Sequence, residues 1–435
     1  MSETVQAVTT SAAVPSQRPL GFRDTAGLFG SLGVSLLLPV AATFAVLPGR
    51  PLGVTILAIV VGAAIGAVLL GLGAAAGARE GAPTMVLLRG LLGRRLSYVP
   101  TVFNLAQCVG WATFEIVIIS SAASRVLDAP AWPFVLAAGA AATYMALRPR
   151  GAVKLLARYA VWAALAAGVY LFVEVILADP QPLTGTGAGS FWTAVDVVIA
   201  MPVSWFPLVA DYTRETRTGR AAFAGAALGY GTATVACFVL GVLALAAYGA
   251  GGLDVVDALL AVPLGALALA VLVVVEVDEA FANVYSTAVS AGNMLERVDR
   301  RILAVAVGAV ATLLALAFDI VSYEPFLFLI GAVFVPLVGV FAVVYFVVPR
   351  GRWDVSGAAP SRPWLLVPWA AGFVAYQLTL PTYFPEVGRE WTDWWAARQA
   401  DLGIDAANGW SASLVSLAVA AVLTALFSLP RWRRR

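Results

Sequence analysis

Apolar runs of about 20 residues recur from one end of this chain to the other, and each is long enough to cross a bilayer as an α-helix. Twelve can be drawn, near 27–48, 52–77, 98–126, 131–147, 153–178, 190–210, 221–249, 260–293, 302–318, 323–348, 364–384 and 410–430. Inside lipid the backbone must satisfy its own hydrogen bonds, which makes helices the natural form for such spans. The chain is 61% hydrophobic and 12% charged, whereas a soluble domain is roughly a quarter charged. The expected class is an all-α integral membrane protein with twelve transmembrane helices. The eighth segment is long enough to require tilt or extension beyond the lipid.

Lys and Arg in short loops set orientation, because they favour the cytoplasmic side. With a cytoplasmic N-terminus, all but four of the 27 basic residues fall inside; the exceptions are Arg50, Arg125, Arg389 and Arg398. A missed or extra helix would scramble this alternation, so the bias supports the count as well as the direction. Both termini are expected in the cytoplasm and the protein in the plasma membrane. Residues 1–22 are small and polar and read as a disordered tail. No short apolar core follows a basic start, so a cleaved signal peptide is not expected.

The chain has no histidine, and its two cysteines, Cys108 and Cys237, lie inside apolar segments. A zinc cluster or a disulfide framework is therefore not expected. No nucleophile–base pair stands out. An enzyme, and with it any catalytic residue, is not expected; nor is a cofactor or a nucleic-acid partner. A channel would show a repeated polar ring along its pore, and none is visible.

Polar side chains at membrane depth face a cavity or another helix. Asn104, Gln107, Trp111 and Glu115 step by three or four and share one face of helix 3. An indole between an amide and a carboxylate suits a flat polar ring. Glu276, Asp278, Glu279, Asn283, Ser286, Thr287 and Ser290 crowd helix 8. Its hydroxyls and carbonyls are donors a small cation wants. Three carboxylates close together in low dielectric cannot all carry charge cheaply, so Glu276, Asp278 and Glu279 are candidate proton sites; a wet outer vestibule is the plainer reading for them. For Ser286 and Thr287 the plainer reading is a bond back to the preceding turn. Helix 6 holds Pro202 and Pro207, and helix 1 holds Pro39 beside Ser35. Interrupted spans five apart fit a five-plus-five inverted repeat and point to a central transport site.

Several motifs resemble the nucleobase–cation symporter family of cytosine, purine, allantoin and hydantoin permeases. They are G-A-P-T-M-V-L-L-R-G-L-L-G at Gly81–Gly93, Q-C-V-G-W at Gln107–Trp111, A-D-Y-T-R at Ala210–Arg214, L-G-Y at Leu228–Tyr230 and N-V-Y-S-T at Asn283–Thr287. The resemblance implies a LeuT-like fold: a transport core over 23–350, with two further helices and a cytoplasmic C-terminus over 351–435. It implies alternating access around a site between helices 1, 3, 6 and 8. By resemblance Trp111 stacks on the substrate ring, Glu115 hydrogen-bonds it and Asn293 contacts it; Gln107, Trp205 and Ser35 complete the candidate substrate set. A sodium ion would sit at Ser286 and Thr287, with Asn283 and the carbonyls of Gly33 and Leu36; a proton is the alternative coupling ion. The helix 6 tryptophan stands six residues before Asp211 rather than nine. That spacing, with Gln107–Trp111, resembles the hydroxymethylpyrimidine permease branch. The implied substrate is an aminopyrimidine such as hydroxymethylpyrimidine or cytosine. A purine, or an amino acid in another LeuT-like carrier, is the alternative.

Overall fold

A computed structural model describes residues 18–183, 187–249, 254–292, 298–348, 353–404 and 409–432, without the side chains of 149–161, 289, 292, 385–387 and 429–432. In chain order the α-helices are α1 (Phe22–Leu32), α2 (Leu37–Ala45), α3 (Leu52–Glu80), α4 (Thr84–Leu87), α5 (Arg89–Leu92), α6 (Tyr98–Leu127), α7 (Trp132–Leu147), α8 (Pro149–Leu177) and α9 (Phe191–Ser204). They continue with α10 (Phe206–Thr213), α11 (Gly219–Tyr248), α12 (Val255–Ala261), α13 (Gly265–Gly292), α14 (Arg300–Ala315), α15 (Tyr323–Ala342), α16 (Leu366–Thr379), α17 (Pro385–Asp401) and α18 (Ala412–Trp432). Among the described residues, five helical stretches are long and apolar enough to cross a membrane, or six if the bent pair α1–α2 is one span. Large apolar side chains such as Leu57, Val68, Leu267, Val274 and Leu313 stand exposed on helix faces, as they should where lipid is the solvent.

The first expected span is broken, and the break precedes Pro39. Helix α1 stops at Leu32, α2 starts at Leu37, and the two axes differ by 72°. Pro39 falls in the first turn of α2, where its missing N–H breaks no helical bond. The sixth expected span divides at Trp205, between α9 and α10, with Pro202 inside the first piece and Pro207 at the start of the second. The eighth begins at Gly265 as α13, and the separate short helix α12 precedes it.

Small residues let the core helices approach closely. A side chain on Gly229 of α11 would run into the Ala26 carbonyl of α1, and one on Gly225 would meet Thr25 Cβ at 2.7 Å. Gly62 of α3 likewise leaves room for the Val195 carbonyl of α9.

Residues 18–22, which fall within the expected tail, are described and find a backbone partner. Leu20 pairs with Thr216 in an isolated parallel bridge. The Thr25 and Thr216 hydroxyls meet at 3.1 Å beside it. At the opposite end of the bundle Arg125 forms a forked pair with Asp254 at 2.8 and 2.7 Å. Helix α18 is tied to α9 by Asp196, which accepts from Ser411 Oγ, Ala412 N and Ser413 N at 2.6, 2.7 and 3.1 Å.

Candidate functional site

The break between α1 and α2 exposes the first N–H groups of α2, which have no helical acceptor. Glu276 of α13 answers them. Its Oε2 accepts from Leu36 N at 2.7 Å, and its Oε1 accepts from the Ser35 hydroxyl at 2.7 Å. Ser35 Oγ in turn accepts from Leu37 N at 3.1 Å. A carboxylate at a helix N-terminus is favourable electrostatically as well. Glu276 is buried, so the vestibular reading fails for it: its place is the seam between broken helix and α13.

A cavity lies against this seam. Its walls include Ser35, Trp111, Glu115, Trp205, Tyr230 and Asn283, with Glu279 also facing it. It is narrow, about 30 Å³, close to the share of one water in the liquid. A heterocyclic ring enters only when the walls separate. Trp111 is held edge-on by Tyr323 and Phe326, with ring centroids 5.9 and 5.4 Å away. Trp205 leans on Tyr212 and Tyr230 at 6.3 and 6.0 Å. Glu115 Oε1 accepts from Asn283 Nδ2 at 2.8 Å, while its Oε2 is buried without a partner. The site thus offers two indoles and an unsatisfied carboxylate oxygen: flat apolar faces with one strong acceptor.

Of the expected substrate contacts, Ser35, Trp111, Glu115 and Trp205 come together on this cavity. Gln107 does not line it. Its Nε2 donates to Asn104 Oδ1 at 3.0 Å and to the Ser204 carbonyl at 2.8 Å. Trp205 begins a new helix, which leaves the Ser204 carbonyl in need of a donor, and Gln107 supplies it. Asn293 lies outside the described residues. Tyr230, Ser204 and Leu208 line the cavity unannounced. Tyr230 sits mid-helix in an otherwise small and apolar stretch, with only the L-G-Y motif to mark it.

The residues of the expected sodium shell have other contacts. Leu36 meets α13 at Glu276, and Thr287 lies roughly 16 Å further along that helix at 1.5 Å per residue. The Thr287 hydroxyl donates to the Asn283 carbonyl at 2.7 Å, the local bond to the preceding turn. Asn283 faces the substrate cavity rather than Gly33. The Gly33 carbonyl takes the Cys237 thiol at 3.7 Å. The Gly33 carbonyl and the Thr287 hydroxyl thus each have a partner within the protein. Of the candidate proton sites, Glu276 is in the seam, Glu279 on the cavity wall, and Asp278 on neither.

The loop after α3 carries the G-A-P-T motif to the A-D-Y-T motif. Asp211 Oδ1 accepts from Thr84 N at 2.8 Å, and Thr84 Oγ1 accepts from Ala210 N at 3.0 Å.

An all-helical bundle with broken spans around a buried aromatic and acidic cavity is the architecture of a membrane transporter. Residues 16–360 match the family described as "Permease for cytosine/purines, uracil, thiamine, allantoin". The chain belongs to this family of multi-pass membrane transporters of nucleobase-like solutes. Its fold is that of Mhp1. The inward-facing Mhp1 structure superposes with a TM-score of 0.76 at 17% identity, covering 96% of this chain and 91% of that one. Mhp1 described as a nucleobase-cation-symport-1 family transporter, closed with bromovinylhydantoin bound, gives 0.70 at 16% identity, covering 96% and 93%. A mutant manganese transporter of Eremococcus coleocola gives 0.56 at 11% identity, covering 95% of each chain. A search of curated proteins found no match.

Proposed function

We propose that this protein imports a nucleobase-like heterocycle by cation symport, using alternating access around the cavity between α1–α2, α6, α9–α10 and α13. The carrying observation is the meeting of Trp111, Trp205 and Glu115 on one cavity at the two broken spans. Indoles stack on a ring, and the carboxylate accepts from ring N–H or amino groups, so an aminopyrimidine of the hydroxymethylpyrimidine or cytosine kind is favoured over a purine or an amino acid. The hydantoin held by Mhp1 supports a flat heterocyclic ligand. On this reading the chain has twelve spans, the first ten forming two inverted repeats of five, with both termini in the cytoplasm of the plasma membrane.

For the coupling ion, the position of Glu276 and Glu279 favours a proton over sodium. Glu276 stands where helix 1 is broken and Glu279 on the cavity wall, while the Thr287 hydroxyl bonds to its own helix.

Uptake of labelled cytosine into cells expressing the gene, with an ionophore control and a panel of competing bases, tests the assignment. Competition by amino-bearing pyrimidines and collapse with the ionophore are expected. Uptake that no base competes for, or that the ionophore leaves intact, overturns it.

A further inference from the structure

The hydrogen-bonding capacity of the cavity is spent unevenly. Its non-aromatic donors are used within the protein. Asn283 Nδ2 gives its N–H groups to Glu115 Oε1 at 2.8 Å and to the Glu279 carbonyl at 3.3 Å. The Ser35 hydroxyl goes to Glu276 at 2.7 Å, and the Ser204 hydroxyl goes to the Met201 carbonyl at 2.6 Å. What remains open is on the acceptor side. Glu115 Oε2 has no partner, although the residue is only 3% exposed. No lysine or arginine lines the cavity.

Buried charges are paired or they are costly, and a buried acceptor left unmade costs more than a made bond gains. Glu115 Oε2 therefore lacks a donor, and no basic side chain on the cavity wall offers Glu115 a positive charge. Trp111 lines the same space, and an indole face attracts a cation as well as a ring.

We propose that the ligand carried in this cavity is a flat cation with an amidinium-type edge, two N–H groups on one carbon, docked on the Glu115 carboxylate and stacked on Trp111. This rests on reading the cavity as the substrate site. It goes further in assigning the preferred ligand a positive charge, so that an amino-heterocycle bound as its cation is held more tightly than neutral cytosine. The charge on the ligand answers Glu115, leaving Glu276 and Glu279 for the coupling ion.

Benzamidine and benzamide test it. They have nearly the same size and shape, and only the first is a cation at neutral pH. Each is titrated against the purified full chain, with displacement of labelled cytosine and tryptophan fluorescence as readouts. Benzamidine should bind about tenfold or more tighter than benzamide, the scale of a charge-assisted pair. Glu115→Gln keeps the acceptor for Asn283 but removes the charge, and should erase most of that preference. Glu324→Gln, outside the cavity, should leave it intact. Equal binding of the two probes by the unaltered protein overturns the proposal whether or not the variant folds. If cytosine binds and Trp111→Ala weakens it while benzamidine does not compete, the substrate site stands and the cationic ligand falls. If Trp111→Ala affects neither cytosine nor benzamidine, the site reading falls, and the proposal with it.

Discussion

Ser35, in the break between α1 and α2, and Glu276, 241 residues further along in α13, meet at 2.7 Å, and the same carboxylate receives the Leu36 amide at 2.7 Å. One side chain thus satisfies the exposed end of a broken helix. Glu276→Ala leaves the buried Leu36 amide without an acceptor, at about 1–3 kcal/mol, and frees the half-buried Ser35 hydroxyl. Glu276→Gln keeps one acceptor and should cost less. Thermal unfolding of the purified protein in detergent should rank the unaltered chain above Glu276→Gln and Glu276→Ala lowest. An alanine variant as stable as the parent would show that the break holds without this contact.

Trp111 is braced by Tyr323 and Phe326, so its ring is fixed before a ligand arrives. Stacking of a base on an aromatic ring is worth about 1–3 kcal/mol. Trp111→Ala should therefore weaken ligand binding by roughly tenfold or more, measured on protein shown to be monodisperse. Unchanged affinity would remove α6 from the site.

The coupling ion separates the carboxylates of α13 from its hydroxyls. If a proton couples transport, replacing sodium by choline leaves ligand affinity unchanged, while acidification raises it. Ser286→Ala with Thr287→Ala should then be tolerated, and Glu279→Gln should abolish the pH response. Affinity that collapses in choline and ignores pH would return the assignment to sodium.

Thr84 and Asp211 join two motifs through a reciprocal pair of bonds, at 2.8 and 3.0 Å. Thr84→Val keeps the shape and loses the acceptor for Ala210 N, at a cost of about 1 kcal/mol or more. Thr84→Ser retains the hydroxyl and should recover most of the stability. The comparison is a thermal melt of the two variants; equal melting temperatures would show that the hydroxyl carries nothing here.

Much of this architecture is local and so was written in the sequence. Apolar length and polarity decide whether a segment belongs in lipid, and a helical period alone places Trp111 and Glu115 on one face of α6. Prolines flagged the two spans that break. The exact point of each break was not legible. Pro39 is harmless in the first turn of a helix, and the gap at Gly33–Leu36 is held open by Glu276, a residue remote in sequence. The same distance misled the reading of individual side chains. Gln107 shares the Trp111 stripe, yet it turns to the Ser204 carbonyl, because the break at Trp205 leaves that oxygen wanting a donor. Asn283 and Thr287 share a motif, yet one reaches Glu115 and the other bonds to its own helix. The sequence by itself determined the class of molecule, its membrane setting and its family, since these rest on composition, period and short motifs. Only the tertiary structure decided which polar groups meet, because a buried donor or acceptor takes the partner that packing brings within about 3 Å, and that partner lies on another helix.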